Sequence, residues 1–352
     1  DAAAPASDFE HRLIGLATTT LKHVLFCGGG SEAIDSAIKV IWYYNNARGL
    51  PNKKKIVSRV KGYHGVTIAA ASLTGLPNNH RDFDLPIAGI LHTDCPHHYR
   101  FAKDGESEEE FATRLAANLD ALIEKEGPET VAAFIAEPVM GAGGVILPPK
   151  TYFEKIQAVL KKHDVLFIAD EVICGFGRTG NMWGSQTFAL QPDVITMAKA
   201  LTSAYVPMSA VMISRQIADA IAQNSARIGV FSHGFTYSAH PLAAAVARET
   251  LRIYQERDIV GHVRGLAPRL QSGFRALADH PLVGEARGIG LVAAVELVAD
   301  RNTKAAFATP GKVGAKAAEF AEKRGLIVRA IADTLAVSPP LIIAADEIDE
   351  ML

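Results

Sequence analysis

Between residues 23 and 213 short apolar runs alternate with longer helical patterns, and this rhythm constrains the fold more than any other feature of the chain. The runs are His23 to Phe26, Lys55 to Val57, Ala88 to Leu91, Val131 to Ile135, Val165 to Ala169, Val194 to Met197 and Ser209 to Ile213. Most are apolar at consecutive positions, so both faces of the strand must be covered. Buried strands separated by helices predict a mainly parallel α/β sheet with helices on both sides. Ligands in such sheets bind beyond the carboxyl ends of the strands, which directs attention to the polar residues that follow each run.

After Pro241 the pattern changes. Leu242 to Leu277 reads as long helices broken near Gly261 and Gly265. Val283 to Glu285 and Leu291 to Leu297 flank Gly288-Ile289-Gly290 like a hairpin. Lys312 to Arg324 is helical, and Leu326 to Arg329 and Leu335 to Val337 are short strands. The expected organisation is a large unit over 1–245 and a smaller α+β unit over 246–352. With 352 residues, 49% of them hydrophobic, there is enough apolar material for one large core and a satellite.

Charge excludes several classes. The 36 basic and 38 acidic residues are interleaved, so no basic stripe is offered to nucleic acid or to an anionic membrane. No run approaches the roughly 18 apolar residues of a membrane span. Asp1 to His11 has neither a basic lead-in nor a long apolar run, so it does not read as a secretory signal. Cys27, Cys95 and Cys174 are far apart, which argues against a disulfide framework and fits a reducing compartment, with the cytoplasm as the expectation. His97 and His98 beside Cys95 lack the spacing of a metal-ligand cluster, so no metal is expected. The acidic run Glu106 to Glu110 reads as a solvated helix start.

Three segments carry chemistry. In Val24-Leu25-Phe26-Cys27-Gly28-Gly29-Gly30-Ser31-Glu32-Ala33 a strand breaks into glycines and opens a helix. Its free N–H groups and dipole suit a phosphate. Gly28, Gly30 and Ala33 also match the dinucleotide fingerprint, and a tight turn without a ligand fits the same residues. Val165 to Ala169 ends on Asp170 and Glu171, neighbours that face opposite sides of a strand and so cannot share one task. Val194 to Met197 ends on Ala198 and Lys199, and a lysine in an apolar crevice loses its proton readily, as Schiff-base chemistry requires. A phosphate cradle, an acid and a reactive lysine at strand ends of one sheet are together what pyridoxal 5'-phosphate (PLP) needs.

The chain from about His23 to Leu352 resembles the class III aminotransferases of PLP fold type I. The resemblance is carried by Gly30-Ser31-Glu32-Ala33, Gly62-Tyr63-His64-Gly65, Ala136-Glu137-Pro138-Val139, Ala169-Asp170-Glu171-Val172, Gly175-Phe176-Gly177-Arg178-Thr179-Gly180 and Ala198-Lys199-Ala200-Leu201, in the family's order. It implies a PLP-dependent transaminase in which Lys199 is the Schiff-base lysine and Asp170 meets the pyridinium nitrogen. Gly30 and Ser31 would bind the phosphate, and Tyr63 and Val172 would press on the two ring faces. His64 and Glu137 would complete the cofactor site. It further implies a homodimer in which Thr236 reaches the neighbouring subunit's phosphate. Arg329 would clamp a substrate carboxylate, as in the amine–pyruvate branch, so the implied reaction passes an amino group from an amine or ω-amino acid to a keto acid, pyruvate foremost.

The chain departs from the family at several points. Gly28 and Gly29 stand where the family usually has Asn and Ser, removing a hydroxyl from the cradle, and Ala204 and Ala239 stand where glycine is usual. The segment that in the family precedes the cradle is short here, which points to a truncated or partly represented chain. Three rival readings remain at this level: a decarboxylase or aminomutase of the same fold, a dinucleotide-dependent oxidoreductase with Arg59 on a 2′-phosphate, and a catalytically silent homologue.

Overall fold

The computed structural model describes residues 4–17 and 20–352; residues 1–3, which open the N-terminal stretch read above, and 18–19 lie outside them. Strands β1 (Leu21–Cys27), β2 (Lys55–Arg59), β3 (Ile90–Thr93), β4 (Val131–Ala136), β5 (Leu166–Asp170), β6 (Val194–Met197) and β7 (Ser209–Ser214) form one sheet in the order β1-β7-β6-β5-β4-β2-β3. Only β7 runs against its neighbours; the other pairings are parallel. All seven apolar runs of the sequence are therefore strands of this sheet.

The helices are α1 (Ala4–Leu16), α2 (Gly30–Ala47), α3 (Ile68–Leu73), α4 (His98–Phe101), α5 (Glu108–Glu126), α6 (Tyr152–Lys162), α7 (Gly184–Thr187), α8 (Arg215–Ile228), α9 (Pro241–Glu256), α10 (Ile259–Ala276), α11 (Lys312–Glu322) and α12 (Ala345–Met351). Side-chain alternation distributes them over both faces. Ala133 and Ile135 of β4 pack with α2, whereas Phe134 and Ala136 of the same strand pack with α5 and α6. The acidic run does start a helix: Ser107 caps α5, its hydroxyl accepting from Glu110 N while the Glu110 carboxylate accepts from Ser107 N.

The second sheet is antiparallel, with β8 (Val283–Ile289), β9 (Val292–Leu297), β10 (Arg329–Ile331) and β11 (Thr334–Val337) in the order β10-β11-β9-β8. One apolar cluster joins it to the large sheet through Phe9 and Leu13 of α1, Ala244 and Leu251 of α9, Phe274 of α10, Val295 of β9 and Met197 of β6. The boundary expected at residue 245 falls inside α9.

Two local expectations are corrected. The helix break lies at Arg257-Asp258 and not at Gly261 or Gly265, both of which are inside α10. Asp258 caps α10 by accepting from Gly261 N at 3.1 Å, and a Cβ at position 261 would overlap the Asp258 carboxylate, so this glycine serves the cap. The strand expected over Leu326 to Arg329 begins only at Arg329, where pairing with Ala336 starts. No helix among the described residues is long and apolar enough to cross a membrane.

Candidate active site

The carboxyl ends of β5 and β6 and the N-terminus of α2 converge on a cavity of about 170 Å³. Of the residues singled out from the sequence, Gly30, Ser31, Tyr63, His64, Glu137, Asp170, Val172 and Lys199 all line it. Gly65, Ile173 and Ala198 line it too and were not singled out; each adjoins a selected residue, and that adjacency was the available signal.

Asp170 is 3% exposed and held from two sides. Its Oδ2 lies 2.7 Å from His64 Nδ1, while Oδ1 accepts from Val172 N at 3.1 Å and from the Thr196 hydroxyl at 3.4 Å. Glu171 points away from the cavity and accepts from Gly184 N at 2.9 Å, Ser185 N at 2.6 Å and the Ser185 hydroxyl at 2.5 Å. The division of labour between these neighbours follows from strand alternation. Burial pushes the Glu171 carboxyl up to about 7.

Lys199 follows β6 in the left-handed region, at φ +43°. Lys199 lines the cavity and is exposed in the single chain, where the sequence predicts an apolar crevice. Enough protein nevertheless surrounds the amine for desolvation to dominate and lower its pKa, with Asp170 and Glu137 opposing and the Arg329 guanidinium adding to the fall. Glu137 is buried, which raises its pKa, and its two oxygens accept from Tyr63 N and Gly141 N, each at 3.0 Å. It positions the loop that carries Tyr63.

The cradle is closed by a second loop. Ser31 Oγ accepts from Val66 N at 3.0 Å, and a Cβ on Gly65, at φ +130°, would overlap that hydroxyl. Only glycine permits this approach. At the start of α2 the backbone N–H groups have no side-chain cap, because Gly29 is the N-cap residue. These free donors, the amine and the clamped carboxylate match the phosphate, aldehyde and ring nitrogen of PLP in chemical type.

Two selected residues lie outside the cavity. Thr236 is exposed and lines a surface depression with Asp35 and Lys39. Arg329 is exposed at the start of β10, close enough for its charge to register on Lys199. Arg59, the residue a dinucleotide reading needed, is 1% exposed and donates to the Glu137 carbonyl at 2.6 Å, so it has no access to a ligand. His97 and His98 diverge: His98 Nε2 meets the Glu106 carbonyl, and His97 Nε2 lies 2.8 Å from Glu285 and 3.8 Å from Glu296. That trio has the spacing of a cation site, but both carboxylates already pair with Arg287 and Glu296 pairs also with Arg100.

The class III aminotransferase family model matches residues 2–352. The chain belongs to the class III aminotransferases. It is 54% identical over 349 residues to γ-aminobutyrate transaminase 1, mitochondrial, of Oryza sativa subsp. indica, covering 99% of this chain and 68% of that protein. Identity to γ-aminobutyrate transaminase 3, chloroplastic, of Solanum lycopersicum is 52% over the same length, with 67% of that protein covered. Among solved structures, the omega transaminase from Pseudomonas jessenii in complex with PMP matches with a TM-score of 0.98 and 53% identity over 100% of this chain and 78% of that one. A transaminase solved with L-Ala matches with a TM-score of 0.98 and 56% identity, covering 83% of its chain. This class III aminotransferase is accordingly a PLP-dependent enzyme of fold type I that transfers amino groups.

Proposed function

We propose that this aminotransferase moves the amino group of a primary amine or ω-amino acid to pyruvate, in two half-reactions at the cavity around Lys199. The observation that carries the reading is the meeting of a pKa-lowered lysine amine and a histidine-clamped carboxylate in one cavity under the α2 cradle. PLP supplies, when bound, an aldehyde that condenses with amines and a ring that withdraws electrons from the carbon bearing the donor's nitrogen. Lys199 Nζ would hold the cofactor and, when its amine is free, would take the proton from that carbon as general base and return it as general acid. Its lowered pKa raises the neutral, basic fraction near pH 7. The Asp170 carboxylate would favour the protonated form of the ring nitrogen. Gly30 and Ser31 would hold the phosphate and Tyr63 and Val172 would lie against the ring, while Glu137 and His64 fix Tyr63 and Asp170.

Arg329 binds the keto acid's carboxylate bidentately; its exposed position at the tip of β10 leaves it free to swing aside for an amine without a carboxylate. Pyruvate as acceptor draws support from the neighbour solved with L-Ala, since alanine is aminated pyruvate. The named activity of the plant relatives supports an ω-amino acid as donor. A homodimer is part of the proposal. Thr236 does not line its own cavity, and the exposed Tyr205, Tyr237, Val66 and Ile68 offer apolar surface for a second copy whose phosphate Thr236 would complete. The three cysteines are buried and unpaired, which supports a reducing compartment such as the cytoplasm.

The test is alanine formation from γ-aminobutyrate or a primary amine plus pyruvate by the PLP-loaded protein, beside Lys199→Ala. Wild type should form alanine and the variant should not. Alanine formation by Lys199→Ala, release of carbon dioxide from the donor, or amination of another keto acid in preference to pyruvate would overturn the reading.

A further inference from the structure

Asp170 is only as well placed as the imidazole that holds it, and one side of that imidazole has no partner among the described residues. The His64 side chain is wholly buried with Nδ1 against the Asp170 carboxylate, and its Nε2 is buried without a hydrogen-bond partner. The Ser58 hydroxyl, on a residue with no exposure at all, is in the same condition. Both aim at one place. A Cβ built on Gly62 would lie 3.3 Å from His64 Nε2, 3.6 Å from Ser58 Oγ and 3.0 Å from the Arg59 carbonyl oxygen. Glycine keeps this place, faced by three polar groups that a side chain would press against, free of a side-chain atom, and a buried water takes two to four such partners.

One set of donor and acceptor roles suits these groups. Nδ1 faces a carboxylate, which only accepts, so Nδ1 carries the proton and Nε2 of the neutral ring is an acceptor. A water in the Gly62 space would donate one hydrogen to Nε2 and the other to the Arg59 carbonyl, and would accept the Ser58 hydroxyl's hydrogen. His64 Nε2 and the Ser58 hydroxyl are then both satisfied, as native interiors favour. The competing tautomer, with its proton on Nε2, would set a lone pair against Asp170.

We propose that Ser58, through a water bound in the space beside Gly62, is a positioning residue that holds His64 in the tautomer donating to Asp170, and so fixes the carboxylate that meets the cofactor ring. The proposal rests on the transaminase reading for its consequence in catalysis, though not for its geometry. Oriented partners behind a catalytic group are a general means of fixing tautomer and direction.

The experiment combines ¹⁵N-histidine NMR of the PLP-loaded enzyme, with the His64 signals assigned by a His64→Asn control, and a high-resolution crystal structure. Wild type should show a protonated Nδ1 and an accepting Nε2 on His64, with an ordered water beside Gly62. Ser58→Ala and Gly62→Ala should each shift the His64 nitrogen signals toward the other tautomer. Each should lower kcat roughly ten-fold, the order expected for one buried hydrogen bond, with KM for the amine little changed. Unchanged His64 signals in both variants would overturn the proposal even if kcat fell, because a packing role alone would do that. So would a wild-type structure in which Nε2 meets no water. Alanine production that requires Lys199 tests the function separately, so its presence beside unaltered His64 signals would sink only the role given to Ser58.

Discussion

Ala239 lies at φ +54° and Ala204 at φ +64°, in the left-handed region where a β-carbon crowds the following carbonyl. These are two positions where the family usually has glycine, and the backbone gives the reason. Replacing Ala239 by glycine relieves strain of about 1–2 kcal/mol and costs about 0.5–1 kcal/mol in chain entropy, so a net gain near 0.5–1 kcal/mol is expected. A higher denaturation midpoint in urea for Ala239→Gly would bear this out; a lower one would show that the alanine methyl contributes packing that outweighs the strain. Lys199 shares the left-handed conformation, which places a strained residue at the reactive position of the site.

At the scale of elements, the N-terminus of α2 is the part most open to improvement. Gly29 is its N-cap, with no side-chain hydrogen bond, and a Cβ placed on it would meet nothing within 4 Å, so a larger residue has room. Gly29→Ser should restore a hydroxyl at the phosphate and tighten PLP binding by about ten- to a hundred-fold, the effect of one hydrogen bond to a charged group. Equilibrium titration of the apo-protein followed by absorbance measures it, and unchanged affinity would mean that the hydroxyl turns to the backbone instead. The short α7 depends on Glu171, whose carboxyl is pushed up to about 7 by burial. A carboxyl with its folded-state pKa raised contributes stability that is complete below its unfolded pKa near 4.3 and lost as pH rises through 7. The stability advantage of wild type over Glu171→Gln should therefore shrink between pH 5 and pH 8, by at most about 3 kcal/mol. Urea unfolding at the two pH values checks the sign; a gap that widens toward pH 8 would refute it.

For the whole molecule, the proposal that each site is shared between two copies has a direct test. A Thr236→Ala chain keeps Lys199, and a Lys199→Ala chain keeps Thr236. Mixing the two variants under exchange should rebuild one native site per mixed dimer and restore activity toward a quarter of wild type, the value for random pairing of equal amounts with half the sites of mixed dimers intact. Activity no greater than the sum of the separate variants would show that Thr236 serves no neighbouring site. The surface around Tyr205 and Tyr237, 83% and 74% exposed in the single chain, should become protected in the same dimer.

What the sequence determined by itself was the large sheet and the chemistry at its strand ends. Runs such as Val131 to Ile135 are apolar at every position because both faces are covered, and that pattern is visible without coordinates. The cradle glycines, Asp170 and Lys199 were legible because each directly follows such a run. Tertiary structure alone decided the rest. The pairing of His64 with Asp170 spans 106 residues of chain, and the convergence of Ser58, Arg59 and Gly62 on the far side of that imidazole depends on a loop doubling back on its own strand. The break before α10 was misplaced because Gly261 reads as a helix breaker until the Asp258 carboxylate is seen folding over it. Periodicity records which faces are buried; which polar atoms face each other inside is set by how the chain packs, and a linear pattern carries no term for that.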